Sequence, residues 1–239
     1  MPHEHAPSTV DIVGLKLDFN LFPAEYAHDS WLAQLGIDAA ERSTALARSP
    51  LWLRSVSTAL LRARRLEECF DCDFHDRAKR LVLIDTATLV RIGGLVLATL
   101  LRERLRRIVH RPQVQALHDC MGTEAHQFAL RWTGMVPSIP VPFDDGAVRI
   151  SAESWTHRSI AQLFAAVPAQ ATGIVERMRL RFPAHWTLPD SRQPQLNETQ
   201  RGALMTLVIA VIADSAAQWS WLFAEEGPPA VGAAANGGA

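Results

Sequence analysis

The sequence has few cysteines, and their number excludes a fold held by a disulfide framework. Its 239 residues contain three cysteines, Cys69, Cys72 and Cys120. Domains that depend on disulfides are short and rich in paired cysteines, and this chain has neither property. A chain of this length can instead bury a sizeable hydrophobic core. We therefore expect side-chain packing to hold the fold together.

Long apolar runs are missing as well. The longest candidate, residues 81–101, is interrupted by Asp85 and Arg91, and the second, residues 203–213, is about half as long as a bilayer requires. The first residues have neither the basic region nor the apolar region of a secretory signal. These absences predict a cytoplasmic protein that docks at a membrane only through a partner.

The short motifs of common catalytic sites do not occur either. The chain contains no GxSxG, no HExxH, no phosphate-binding loop and no GxGxxG. Adjacent carboxylates stand at 67–68, 144–145 and 225–226, where we expect a helix end, a turn and the tail. General acids and bases need surroundings that shift their pKa values, and none of these pairs lies in an apolar context. We predict a protein that is not an enzyme and needs no cofactor.

Helical periodicity dominates the rest of the sequence. Ser49-Pro50 is a helix start that predicts a helix from Leu51 to about Glu68. A longer helix is predicted over residues 79–110, apolar on nearly all sides in its middle, where Gly93-Gly94 indicates a close helix crossing. Further helices are predicted over residues 31–35, 113–120, 123–132, 151–167, 168–181 and 197–223, the last starting with a capping box.

These elements predict the organisation of the chain. The fold class is mostly α, an irregular multi-helix bundle with a long buried central helix. We expect disorder over residues 1–10, a single helical domain over 11–224 with a Pro-rich linker at 136–146, and a disordered tail over 225–239. Residues 11–22 alternate loosely and predict an extended arm or a short strand.

Charge is balanced overall but unevenly distributed. The net charge is −1, which argues against wholesale binding of nucleic acid. Residues 54–111 nevertheless carry a net charge of +6, between segments of −4 and −3. Within them a helix face rich in arginine is predicted to bind an acidic protein partner, through Arg102, Arg106, Arg107 and Arg111.

Two alternatives for this basic face stay open. It could be a solvated helix face, because Glu103 and Arg107 stand at the spacing of an i,i+4 ion pair. It could also belong to a DNA-binding regulator, although no aromatic residues interleave the arginines.

A metal site is the alternative that the cysteines suggest. Cys69 and Cys72, with His75 three residues further and Cys120 beyond the long helix, have donor types that zinc prefers. One CxxC pair without a second pair of matching spacing is a weak signal. The simpler reading is a helix end followed by a solvated loop, so a helical regulatory protein or enzyme with zinc is kept as the alternative.

Several segments together resemble the SctK family, accessory proteins of bacterial type III secretion systems (YscK, PscK, MxiK and OrgA in different systems). Residues 17–28, LDFNLFPAEYAH, are similar to the family's opening, in which a Pro-Ala pair precedes Tyr and His. The stretch 89–107 resembles its central apolar helix followed by basic residues, and 177–183, RMRLRFP, resembles an Arg-Leu-x-Leu-Arg-Leu-Pro element. Trp221-Leu-Phe223 is similar to its C-terminal end.

The resemblance implies a function as well as a fold. SctK proteins are cytoplasmic adaptors of the sorting platform, without known enzymatic chemistry. They bridge the inner-membrane ring protein SctD to the pod proteins SctQ and SctL. The expected partners are therefore homologues of SctD, SctQ and SctL, with no nucleic acid.

Overall fold

The computed structural model describes residues 9–44, 49–71, 73–141, 151–188 and 195–224. Within these ranges the regular elements are helices and no strand occurs. The prediction of a mostly α fold is therefore confirmed. The predicted tail, residues 1–8 and the last part of the predicted linker lie outside the described ranges.

In the described residues before Ser49, four helices precede α5. In chain order the elements are α1 (Thr9–Leu21), α2 (Pro23–Tyr26), α3 (Asp29–Ala33), α4 (Ala39–Arg42) and α5 (Pro50–Ala63). The expectation of an extended arm or a short strand over residues 11–22 is wrong, because residues 11–21 belong to α1. Its inward side carries Ile12, Leu15 and Phe19, at the three- and four-residue spacing of a helix face.

Helix α5 begins after Ser49, as the sequence predicts, but it ends before the predicted residue. The Ser49 hydroxyl accepts a hydrogen bond from the Trp52 amide at 3.2 Å, as an N-cap does. The helix ends at Ala63 rather than near Glu68, since Arg65 adopts a left-handed conformation with φ of 55°. That reversal turns the chain so that Leu66 enters the core.

The long helix predicted over residues 79–110 is divided into shorter elements. They are α6 (Arg77–Arg80), a 3-10 helix (Leu81–Leu83), α7 (Thr86–Leu100) and α8 (Arg102–Leu105). The division arises at Asp85, whose carboxylate accepts hydrogen bonds from the amide and the hydroxyl of Thr88 at 2.8 and 2.7 Å. A carboxylate in this position starts a new helix rather than continuing the old one.

The second half of the chain forms longer helices. They are α9 (Arg111–Arg131), α10 (Ala152–Ala166), α11 (Thr172–Arg179), α12 (Glu198–Ser215) and a closing 3-10 helix (Ala217–Phe223). The two helices predicted over 113–120 and 123–132 are joined in α9, with a kink at Gly122 (φ 81°, ψ 154°). The capping box of α12 is confirmed, with both Asn197–Gln200 hydrogen bonds present, but α12 ends at Ser215 instead of residue 223.

Helix α7 is the buried centre of the molecule. It packs against α9, α10 and α12. Gly93 permits the close crossing that the sequence predicts: a Cβ added there would lie 3.0 Å from the carbonyl oxygen of Ser159 on α10. Apart from Thr99, the fully buried side chains of α7 are apolar, and they include Leu89, Ile92, Leu95, Val96, Leu97 and Ala98.

A second, smaller hydrophobic cluster joins the N-terminal helices to the main core. It consists of residues of α2, α3 and α5, together with Ala27, Leu66 and Leu180. The Trp31 indole N–H donates to the carbonyl of Phe182 at 2.8 Å, and the amide of His28 donates to the carbonyl of Leu180 at 2.7 Å. The segment after α11 therefore holds both clusters together.

Candidate docking surface

The four arginines singled out in the sequence lie at the corner between α8 and α9, here called the arginine surface (Arg102, Arg106, Arg107 and Arg111). Arg102 is the least exposed of them, because its side chain reaches back to α9. Its Nη1 donates to the carbonyl of Trp132 at 2.9 Å, which closes the C-terminal end of that helix. Arg102 therefore braces α8 against α9 and has less freedom to meet a partner.

The other three arginines point outward. Arg106 pairs with Glu103 at 3.3 Å, and Arg102 pairs with the same carboxylate at 3.1 Å. The Glu103–Arg107 pair that the spacing suggested does not form, and among the described residues Arg107 and Arg111 have no ion pair. Their guanidinium groups are exposed. An exposed guanidinium can bind a carboxylate through two parallel hydrogen bonds.

Apolar side chains lie beside these charges. Val109, between Arg107 and Arg111 in the chain, is 75% exposed. Met135, three residues after the carbonyl that Arg102 holds, is 84% exposed. Cations bordered by exposed apolar groups can bind an acidic segment that also has apolar side chains, because each kind of group finds its complement.

The residues of the alternative zinc site do not assemble in the described parts of the chain. Cys69 and His75 are exposed, whereas Cys120 is buried with its thiol at the carbonyl of Ser151. Burial raises the pKa of the Cys120 thiol to about 11, which keeps it protonated near neutral pH. Cys72 lies outside the described residues, and within them no three His, Cys, Asp or Glu side chains are arranged to hold a metal.

An open groove of about 670 Å³ lies between α6, the end of α10 and α12. Its ionisable lining residues are Asp76, Arg77, Glu198 and Arg201. The Asp76 carboxylate caps α6, and Arg201 donates to the carbonyl of Leu196. Both groups are therefore engaged near the start of a helix, Asp76 at α6 and Arg201 at α12. No sequence motif indicated the groove.

The family model for YOP proteins translocation protein K (YscK) matches residues 15–224, which is most of the chain. The chain belongs to the YscK family. It is accordingly a type III secretion protein, and the family is not one of known enzymes. No curated protein and no solved structure matches the chain. In the described parts of this YscK-family protein, no helix is long and apolar enough to cross a membrane.

The segments that carried the resemblance to SctK proteins meet in space. The ring of Tyr26, from the opening segment, lies 4.6 Å from the guanidinium of Arg181, from the RMRLRFP segment. The Ser30 hydroxyl accepts a hydrogen bond from the amide of Ala184 at 2.8 Å. The opening segment of the YscK-family chain and the RMRLRFP segment are therefore in contact, and their spacing in the sequence gave no sign of it.

Proposed function

We propose that this protein is a cytoplasmic adaptor of a type III secretion sorting platform, peripheral at the inner membrane. It bridges the cytoplasmic domain of the inner-membrane ring protein SctD to the pod proteins SctQ and SctL, and it catalyses no reaction. The platform cannot assemble without such a bridge, so secretion depends on it.

The observation that carries the proposal is the exposed part of the arginine surface on a chain of this family. Arg107 and Arg111 are cations whose charge no described carboxylate neutralises, and Val109 beside them is an exposed apolar group. Groups of this kind are typical of surfaces that bind an acidic partner and guide its approach. We assign this surface to the SctD contact.

The experiment compares two variants of the full chain. The first replaces Arg106, Arg107 and Arg111 by Glu, and it leaves Arg102 unchanged because that side chain supports α9. The second, Arg54→Glu, changes an exposed arginine of α5 and controls for charge reversal at a site away from the arginine surface. Affinity for the purified SctD cytoplasmic domain is measured by isothermal titration calorimetry at two salt concentrations.

The triple variant should bind SctD at least about tenfold more weakly, because like charges now face each other across the interface. Binding of the wild-type protein should weaken with salt, and Arg54→Glu should bind like wild type. Equal affinities for all three proteins would remove the arginine surface from the SctD contact. Salt-dependent binding of duplex DNA that the triple variant loses would favour the regulator alternative.

A further inference from the structure

Helix α1 is fixed to the body of the protein by its inner face. The Phe19 ring stacks on Tyr26, with centroids 5.6 Å apart, and meets the edge of Phe74 at 6.4 Å. The buried Asn20 amide donates to the carbonyl of Asp71 at 2.9 Å and accepts from the amide of the same residue. Because a ring and an amide anchor it, α1 presents its outer face at a fixed position.

The outer face of α1 is apolar too. Val13, Leu17 and Leu21 stand four residues apart, so they form one stripe along the helix. They are 51, 41 and 43% exposed. A surface helix ordinarily turns polar residues outward, and a second apolar face on an anchored helix is typical of a protein contact.

The charges beside this stripe are negative. Asp18 follows Leu17 in α1 and is exposed. Glu25, in the short helix α2, is exposed as well. The partial burial of Glu25 first, and the charge of Asp18 second, raise the pKa of the Glu25 carboxyl above its ordinary value. The one cation of α1, Lys16, turns away and lies 5.3 Å from the centre of the Phe74 ring.

The negative charge of Asp18 and Glu25 indicates which kind of partner could cover the apolar stripe. A second copy packed against α1 would bring the two Asp18 carboxylates together, and an anionic membrane would repel both carboxylates. A helix with apolar side chains flanked by Lys or Arg satisfies the stripe and the carboxylates at once.

We propose that the outer face of α1, formed by Val13, Leu17 and Leu21 with Asp18 and Glu25, binds a basic amphipathic helix of a partner protein. This face is distinct from the arginine surface and opposite to it in charge. The inference goes beyond the adaptor proposal and does not require that SctD binds the arginine surface.

The experiment places a photoreactive p-benzoylphenylalanine at position 17, and in a second variant at position 13, of the full chain in its native host. Position 51 is the control, because Leu51 on α5 is apolar and 80% exposed. After irradiation, mass spectrometry identifies the partner peptide. Positions 17 and 13, but not position 51, should cross-link to one helical segment in which Lys or Arg flanks an apolar stripe.

The double variant Asp18→Lys, Glu25→Lys should reduce that cross-linked product about tenfold, because both flanking charges then repel the partner. Thermal unfolding of each variant, followed by circular dichroism, confirms that the exposed substitutions leave the fold intact. Cross-links to a second copy of this chain, to lipid or to an acidic segment would overturn the proposal. So would the absence of any adduct from both positions when the photoreactive residue is fully incorporated.

Discussion

At the scale of single residues, buried arginines donate hydrogen bonds to backbone carbonyls that have no partner within a helix. Arg177 is 1% exposed, and it donates to the carbonyls of Leu66 and Cys69 at 2.9 and 2.6 Å. Arg181 donates to the carbonyls of Val82 and Ile84, both at 2.8 Å. Carbonyls at chain reversals lack helical partners, and a guanidinium can reach two of them at once. The basic residues of segment 177–183 therefore support the fold.

Replacing Arg177 by Lys should destabilise the protein by about 2–3 kcal/mol. A single ammonium cannot reach both carbonyls in the geometry of the guanidinium fork, so one of the two charge-assisted hydrogen bonds is lost. The matched control is Arg62→Lys, at an exposed side chain paired with Glu67, which should change stability by less than about 0.5 kcal/mol. Urea unfolding measures both values, and equal effects would contradict the role given to Arg177.

A histidine pair should make stability depend on pH. His126 is buried and shares a hydrogen bond of 3.0 Å with His118. Burial first, and the charge of His118 second, lower the pKa of His126 below 6.5. The unfolded chain therefore binds a proton here more readily than the folded one, so the free energy of unfolding falls as the pH drops through 6.5.

Urea unfolding at pH 7.5 and pH 5.5 measures this effect. The variant His126→Gln should lose part of the decrease seen in the wild-type protein, because Gln does not titrate. His110→Gln, at an exposed histidine, should keep the full decrease. A decrease of the same size in His126→Gln and wild type would show that His126 contributes nothing to it.

At the scale of elements, the sequence predicts helices better than it predicts their ends. The capped starts of α5 and α12 are correct because one side chain and its neighbouring amides decide them. The break at Asp85 is missed because the apolar residues before it, 81–84, and those after it, from Leu89 onward, are both compatible with one continuous helix. Helix α1 is missed because apolar residues on both of its faces obscure the helical period, and only tertiary contacts of Phe19 and Asn20 select the helix.

Two glycines test the packing of α7. Gly93→Ala should destabilise the protein by about 1–3 kcal/mol, because the new methyl group meets the Ser159 carbonyl on α10. Gly202→Ala, on α12, should stabilise it by about 1 kcal/mol, since a Cβ there meets nothing within 4 Å and alanine favours the helix. Urea unfolding measures both, and a stabilising effect of both substitutions would contradict the close crossing.

At the scale of the whole molecule, the candidate site is only partly readable from the sequence. The arginine-rich face is visible in the sequence as a charge pattern. The pattern does not show which of the four arginines support the fold and which are exposed. The structure separates Arg102, which supports the end of α9, from Arg107 and Arg111, which are available to a partner. Sequence spacing cannot make that distinction, because it depends on a carbonyl 30 residues away.

The proposed adaptor role requires two surfaces that can bind different partners, and this protein has two surfaces of opposite charge. The arginine surface offers cations, and the outer face of α1 offers carboxylates around an apolar stripe. A protein with both can hold two partners whose charges differ, without itself catalysing a reaction.

The most direct test of the adaptor proposal is a pull-down of the tagged full chain from its native host, with mass spectrometry of the proteins recovered. The account predicts that homologues of SctD, SctQ and SctL are recovered together, and that the Arg106, Arg107 and Arg111 triple Glu variant loses SctD. Recovery of the protein without any of the three, alone or with nucleic acid, would contradict the account.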